Sequence, residues 1–242
     1  MVRLDKFLCD FEIGTRSEVK NYVKKGMVMV NGLMVKNSDL KIDEAKDIVS
    51  FNGKELVFEK FHYYVLNKPA GVVTATHDNH DKTVMDLLEG VVTKGLSPVG
   101  RLDKDTEGLL FITDDGVLNH NLLSPKKHVD KTYYVECSGE IDNENIKALE
   151  DGIDIGDEKP TLPAKVELLE QSTEIKKYTL NLTITEGRFH QVKRMIEAVG
   201  GEVTYLKRIS FGPLVLDENL ELGEYRKLTD IELDALLKSQ VK

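Results

Sequence analysis

The first 60 residues place their apolar side chains at helical spacing and then at hairpin spacing. Thr15-Arg-Ser-Glu18 has the form of a capping box, and Val19, Tyr22 and Val23 follow at i, i+3 and i+4 up to Gly26, which predicts a helix. The other side of that helix presents Arg16, Lys20 and Lys24 at i, i+4 and i+8. Val28–Val30 and Leu33–Val35 are short apolar runs joined by Asn31-Gly32, a strong hairpin signal. An earlier short helix around Leu4, Phe7 and Leu8 completes a helix, helix, hairpin unit. A linker is predicted over Gly53–Lys60. Beyond it, Tyr63–Leu66 opens an apolar strand that breaks at Lys68-Pro69-Ala70-Gly71. Strand-like runs at Leu109–Ile112, Tyr133–Val135 and Tyr178–Ile184 then alternate with helical ones at Thr83–Leu88, Ile146–Leu149 and Gln191–Val199. No internal repeat of about 20–50 residues interrupts this order. The pattern predicts a small N-terminal unit followed by a catalytic-sized domain of strands and helices on a mixed sheet.

Composition narrows the class. The chain has 242 residues, 40% apolar and 31% charged, which suits a soluble globular protein able to bury a core without staples. Cys9 and Cys137 stand far apart with no metal-like spacing, so neither a structural zinc site nor a disulfide framework is expected. The N-terminus has no apolar leader and no run approaches the roughly 20 apolar residues of a membrane span, so the cytoplasm is the expected compartment and no membrane partner is expected.

The formal charge of −9 leans away from nucleic acid, but it is unevenly spread. Residues 1–60 hold 11 basic and 10 acidic side chains; the remainder carries a net −10. Residues 14–36 are locally +4 through Arg16, Lys20, Lys24, Lys25 and Lys36 against Glu18, while residues 140–158 are −7. Two faces of opposite sign are therefore expected, with the acidic run off any RNA-binding face.

Three polar segments are candidates for chemistry. Gly100-Arg101-Leu102-Asp103-Lys104-Asp105-Thr106-Glu107-Gly108 packs three carboxylates and two bases ahead of a strand. Its plain reading is a charged turn, with Asp114-Asp115-Gly116 a second one. An EF-hand is excluded because the required Gly and Glu positions are not filled, so no metal is expected. Glu186-Gly187-Arg188-Phe189-His190-Gln191-Val192-Lys193-Arg194 closes a strand and opens an amphipathic helix. Lys193 and Arg194 fall in its first turn, where the helix dipole disfavours cations, which points to an anionic partner. A lone histidine such as His190 is most often a hydrogen-bonded structural residue. Lys131-Thr132-Tyr133 on its own is an aromatic-rich strand.

Taken in order, Lys68-Pro-x-Gly, Gly100-Arg-Leu-Asp103, Lys131-Thr-Tyr133 and Gly187-Arg-x-His-Gln-Val-Lys193-Arg resemble the motifs of RsuA-type ribosomal RNA pseudouridine synthases, over essentially the whole chain. Arg3-Leu-Asp-Lys-Phe-Leu8, Thr15-Arg-Ser17, Lys25-Gly-Met-Val28 and Val30-Asn-Gly32 resemble, over most of residues 1–50, the alpha-L RNA-binding module first known from ribosomal protein S-four, whose second helix and following strand face RNA. The resemblance implies an α+β fold: an alpha-L domain at 1–59 and a catalytic domain at 60–242 on a mixed, mainly antiparallel sheet flanked by helices. It implies isomerisation of an rRNA uridine, with 16S small-subunit rRNA, free or in an assembling particle, expected ahead of 23S rRNA. A monomer is expected, and no cofactor. Asp103 matches the essential carboxylate, acting on C1′, on the pyrimidine ring or on the C2′ proton. Lys193 matches its basic partner and Tyr133 the tyrosine against the uracil face. Arg101 matches the residue that fills the space left by the flipped base. Arg16, Lys20, Lys24, Lys25, Lys68, Lys126, Lys127, Lys131, Arg188 and Arg194 are the expected RNA contacts. The competing expectations are a non-catalytic RNA-binding assembly factor and, more weakly, a two-carboxylate glycoside hydrolase.

Overall fold

The computed structural model describes residues 1–44, 46–56, 59–172 and 176–239. It divides into two units, Met1–Lys60 and Phe61–Lys242.

The first unit runs β1 (Val2–Arg3), α1 (Leu4–Asp10), α2 (Arg16–Lys24), β2 (Val28–Val30), β3 (Leu33–Met34), β4 (Lys41–Ile42), β5 (Val49–Phe51) and β6 (Lys54–Leu56). The capping box forms: Thr15 N–H donates to Glu18 Oε2 at 2.8 Å and Glu18 N–H to Thr15 Oγ1 at 3.4 Å. Val19 and Val23 then bury against Leu4, Phe7, Leu8, Val28 and Val49, so the polar side of α2 is left exposed. Asn31 (φ 52°) and Gly32 (φ 76°) are both left-handed, as a two-residue hairpin turn between β2 and β3 requires. The expected linker is corrected here. Asn52-Gly53 is a second such turn and β6 pairs with β5, so the sheet order β3-β2-β5-β6 runs on to Leu56; residues 57 and 58 of that stretch lie outside the described residues.

The second unit contains β7 (Tyr63–Lys68), β8 (Ser97–Pro98), β9 (Glu107–Thr113), α3 (Gly116–Leu123), β10 (Lys131–Gly139), α4 (Asn143–Asp151), β11 (Lys165–Ser172), β12 (Lys177–Ile184), α5 (Gln191–Ala198), β13 (Gly201–Phe211), β14 (Leu214–Val215), β15 (Tyr225–Lys227) and α6 (Asp230–Ser239). The expected helix at Thr83–Leu88 is a 3-10 turn, Val84–Leu87. Among the described residues one sheet runs β11-β12-β10-β13-β9-β7-β15, with β14 on β13 and β8 on β9. Its ladders are antiparallel except for β13 against β9, so the fold is α+β with a mixed, mainly antiparallel sheet.

Burial explains the two kinds of strand. In β9, Leu110 and Ile112 face one core while Leu109 and Phe111 face the other, so a strand covered on both faces is continuously apolar. In β12 only Tyr178, Leu180, Leu182 and Ile184 are buried, and polar residues alternate with them. Gly108 (φ 101°) sits where β9 meets β13 in parallel; a Cβ there would lie 2.3 Å from the Arg208 carbonyl oxygen, so only glycine allows the strands to meet.

Two helices are absent from the periodicity. Asp114-Asp115-Gly116 is not a free turn, because Asp115 caps α3 by accepting from Leu118 N–H at 3.0 Å. α6 is tied back by Arg226, which meets both oxygens of Glu232 at 2.8 Å, while Thr229 N–H donates to the same carboxylate at 2.8 Å. That pairing holds the Glu232 carboxyl down to about 2.

Candidate active site

The loop between β8 and β9 is shaped from below. At the end of β7 the Lys68 side chain is fully buried, and its ammonium donates to the carbonyl oxygens of Pro69 (3.0 Å), Asp103 (3.1 Å), Lys104 (3.3 Å) and Thr106 (2.9 Å). Burial pushes this ammonium down to about 8, with Asp105, Glu107 and Asp103 opposing the shift. Lys68 therefore does not reach RNA, which corrects its place among the expected contacts. Thr74 Oγ1 donates to the Leu102 carbonyl at 2.7 Å and accepts from its N–H at 3.2 Å, and Leu102 itself is buried in the core. With Leu102 turned inward, the next side chain, Asp103, is half-exposed and lines a cleft of ≈ 1160 Å³.

The opposite wall comes from the β12–α5 turn. Gln191 is buried; it accepts from Arg188 N–H at 2.9 Å and donates to Glu186 Oε1 at 2.9 Å, which locks the turn. His190 takes a left-handed φ of 49° ahead of α5 and stacks on Phe189, an exposed ring, at 3.8 Å between centroids. Lys193, in the first turn of α5, meets the two carboxylates. Its Nζ lies 2.6 and 2.8 Å from the Asp105 oxygens and 3.5 Å from Asp103 Oδ2. The Lys193 hydrogen bond holds the Asp105 carboxyl below the usual carboxylate range. On the other side of Asp103, His190 Nε2 stands 3.7 Å from Oδ1. The expected Asp103–Lys193 pair is thus present, but Asp105 is the nearer partner. In sequence Asp105 is one carboxylate of a charged turn and His190 reads as a structural histidine, so neither is among the expected site residues. The Asp-x-Asp spacing of residues 103 and 105 was the available signal for the first, and the second carried none beyond its motif.

Tyr133 lies on β10, 8% exposed, in the same cleft wall as Leu206 and Arg208 of β13. Arg101 is exposed at the cleft and has no ion-pair partner among the described residues. Lys126 and Lys127 are exposed beside Ser124 and Pro125, which line the cleft. Lys131 lines it directly.

Arg188 and Arg194 are differently employed. Arg188 donates to Glu186 Oε2 (3.1 Å) and to the carbonyls of Lys159 (2.6 Å) and Pro160 (2.8 Å). Arg194 donates to Asp157 Oδ1 (2.6 Å) and to the carbonyls of Ile155 and Phe189. Their guanidiniums are consumed in holding residues 155–160 against α5, so they are corrected from RNA contacts to wall-builders. The acidic run is not wholly apart from this wall either, because its Asp157 neutralises both arginines and Arg188 lines the cleft. The described residues hold no cluster of His, Cys, Asp and Glu fit to bind a metal ion, and no helix long and apolar enough to cross a membrane.

In the first unit Arg16, Lys20, Lys24 and Lys25 are all exposed and make no ion pair among the described residues. Together they form a free basic stripe along α2 and its end.

Comparison with known proteins agrees with the motif order. The sequence pattern of the RNA pseudouridylate synthase family matches residues 62–198. A Bacillus subtilis protein described as the uncharacterized RNA pseudouridine synthase YtzG is 46% identical over 240 residues, covering 99% of this chain and all of its own. The ribosomal small subunit pseudouridine synthase A of Haemophilus influenzae is 40% identical over 98% of this chain and all of its own. A crystal structure of a pseudouridylate synthase superimposes with a TM-score of 0.68 at 39% identity, covering 98% of this chain and all of that one.

Proposed function

The chain belongs to the RNA pseudouridylate synthase family, and from that premise we propose that it converts a specific uridine of 16S ribosomal RNA to pseudouridine. The observation that carries the reading is the placement of Asp103, which stands half-exposed in a large cleft between Lys193 and His190, with Tyr133 in the same lining.

Isomerisation breaks the C1′–N1 bond, turns the uracil in place and joins C1′ to C5; the C5 proton then leaves and N1 takes one up, so the product has the atoms of the substrate. A carboxylate that attacks C1′ or the ring, or removes the C2′ proton, must be ionised inside a closed complex. Desolvation opposes that charge, and Lys193 counters it. Asp105 tethers Lys193 at the distance where its ammonium serves both carboxylates. Tyr133 packs against the uracil while it turns. The target base must leave its stack to reach this cleft, at a cost of a few kcal/mol. Arg101 fills the vacated space, and the exposed Phe189 ring offers a stacking face at the entrance. The first unit, read as the RNA-binding domain, grips backbone phosphates through Arg16, Lys20, Lys24 and Lys25, with Lys126 and Lys127 adding contacts near the cleft. The chemistry transfers no electrons and no phosphoryl group, so the protein acts without a cofactor, as a cytoplasmic monomer on rRNA or on an assembling small subunit.

Carbodiimide labelling and primer extension on rRNA from cells with and without the protein test this. The expected result is loss of one 16S stop. Loss of a 23S stop with every 16S stop intact would move the target to the large subunit.

A further inference from the structure

Buried Lys68 is matched by four carbonyls, half-buried Arg226 by Glu232, and half-buried Arg188 and Arg194 by Asp157 and nearby carbonyls. Arg208 and Lys131 are less fully matched. Arg208 is only 1% exposed; its Nε donates to the Leu109 carbonyl at 2.8 Å, and its Nη2 has no hydrogen-bond partner. Lys131 Nζ donates to the Val129 carbonyl at 2.8 Å. Neither side chain has a carboxylate within 4.0 Å among the described residues. Both lie over one ring, with Arg208 Cζ 5.2 Å and Lys131 Nζ 5.6 Å from the Phe211 centroid.

This arrangement is built by the sheet. Thr132 pairs with Ser210 but Tyr133 with Arg208, so the β10–β13 ladder skips Ile209. The bulge re-aims β13 so that Arg208 and Phe211 line the cleft together with Lys131 and Tyr133. Two cations at close quarters in a desolvated wall repel each other. Burial and the neighbouring guanidinium together push the Lys131 ammonium down to about 8, and Asp130 and Glu186 counter this only in part. The Phe211 face attracts each cation but supplies no net negative charge. Buried charges are ordinarily paired, so the wall lacks an anion.

We infer that Arg208 and Lys131, backed by Phe211, form a subsite for one backbone phosphate of the RNA beside the uridine held at Asp103 and Tyr133. A phosphate offers several acceptor oxygens, enough for the unpartnered guanidinium donor and the ammonium at once. This rests on the reading of RNA as substrate. It adds a residue, Arg208, that no motif singled out and gives the cleft a fixed register for the sugar–phosphate chain.

The test uses the full chain, with inorganic phosphate and 16S rRNA as separate probes. At constant ionic strength, phosphate is expected to raise the melting temperature of the wild type above a chloride control, and Lys131→Met and Arg208→Met to lose that increment. Lys131→Met, at a half-exposed position, keeps the test free of any folding defect in the Arg208 variant. The same lysine variant is expected to bind 16S rRNA about tenfold more weakly, with a salt slope reduced by about one. An equal phosphate response in wild type and Lys131→Met would overturn the subsite. So would an unchanged salt slope, or no phosphate response from a wild type that forms pseudouridine. A wild type that responds to phosphate yet forms no pseudouridine would sink the functional reading and leave the subsite standing.

Discussion

The basic stripe on α2 of the first unit and three motif cations of the second do opposite work. In Met1–Lys60, Arg16, Lys20, Lys24 and Lys25 stand exposed on α2 and its end with no ion pairs among the described residues. In Phe61–Lys242, motif cations that look equally available are spent on the protein itself: Lys68 under the Asp103 loop, Arg188 and Arg194 against Asp157 and the carbonyls of residues 155–160. A free cation on a surface can trade counterions for phosphates. A cation already holding several acceptors cannot leave them without exposing buried polar groups. The difference teaches that charge in a motif does not by itself mean contact with RNA, and that burial decides which of the two jobs a lysine has.

The contrast is broken most severely at Lys68. Lys68→Met keeps the bulk and removes the ammonium, leaving buried carbonyls unpaired, and is expected to cost about 3 kcal/mol in urea unfolding of the second unit. It should leave the salt slope of rRNA binding unchanged, whereas a slope reduced by about one would show that Lys68 meets phosphate after all. The Lys20→Ala/Lys24→Ala double variant tests the other side. Stability should stay within about 0.5 kcal/mol, while the salt slope for rRNA falls by about two and kcat holds. Arg194→Met, which leaves Asp157 to Arg188 alone and strands two carbonyls, is expected to cost about 1–2 kcal/mol with little effect on the salt slope. Thr15→Ala removes the cap that sets where the basic stripe begins and should cost about 1 kcal/mol in the first unit alone.

Acid titration sharpens the same contrast through an engaged cation. Because Arg226 holds the Glu232 carboxyl down to about 2, the folded state binds fewer protons there than the unfolded chain between that value and the ordinary 4.5. Its stabilisation is full above about 4.5 and is lost as pH falls towards 2. Glu232→Gln should flatten that part of the stability–pH curve; an unaltered curve would deny the pairing its weight.

Local signals made much of this legible from sequence. The Thr15–Glu18 box, the Asn31-Gly32 turn and the alternation in β12 each depend on neighbours in the chain, and each appears where the pattern placed it. Asp103, Lys193 and Tyr133 come together in one cleft as their motif order implied. Features that depend on distant partners were not legible. Nothing near Lys68 in sequence shows that Asp103, Lys104 and Thr106 will close over its ammonium. Likewise, Arg208 stands in an ordinary-looking strand, and only the bulge against β10 and the Phe211 ring give it meaning. α3 was hidden because Asp114-Asp115-Gly116 reads as a turn until Asp115 is seen to cap the helix.

The central claim is that the cleft isomerises a uridine through the Asp103 carboxylate. Asp103→Asn changes one oxygen to an amide and keeps the side-chain volume, so folding and rRNA binding are expected to match the wild type. The most direct measurement is single-turnover pseudouridine formation in 16S rRNA by the two proteins at saturating enzyme. A rate reduced at least about a hundredfold in the variant is the predicted result; conversion at the wild-type rate would contradict the account.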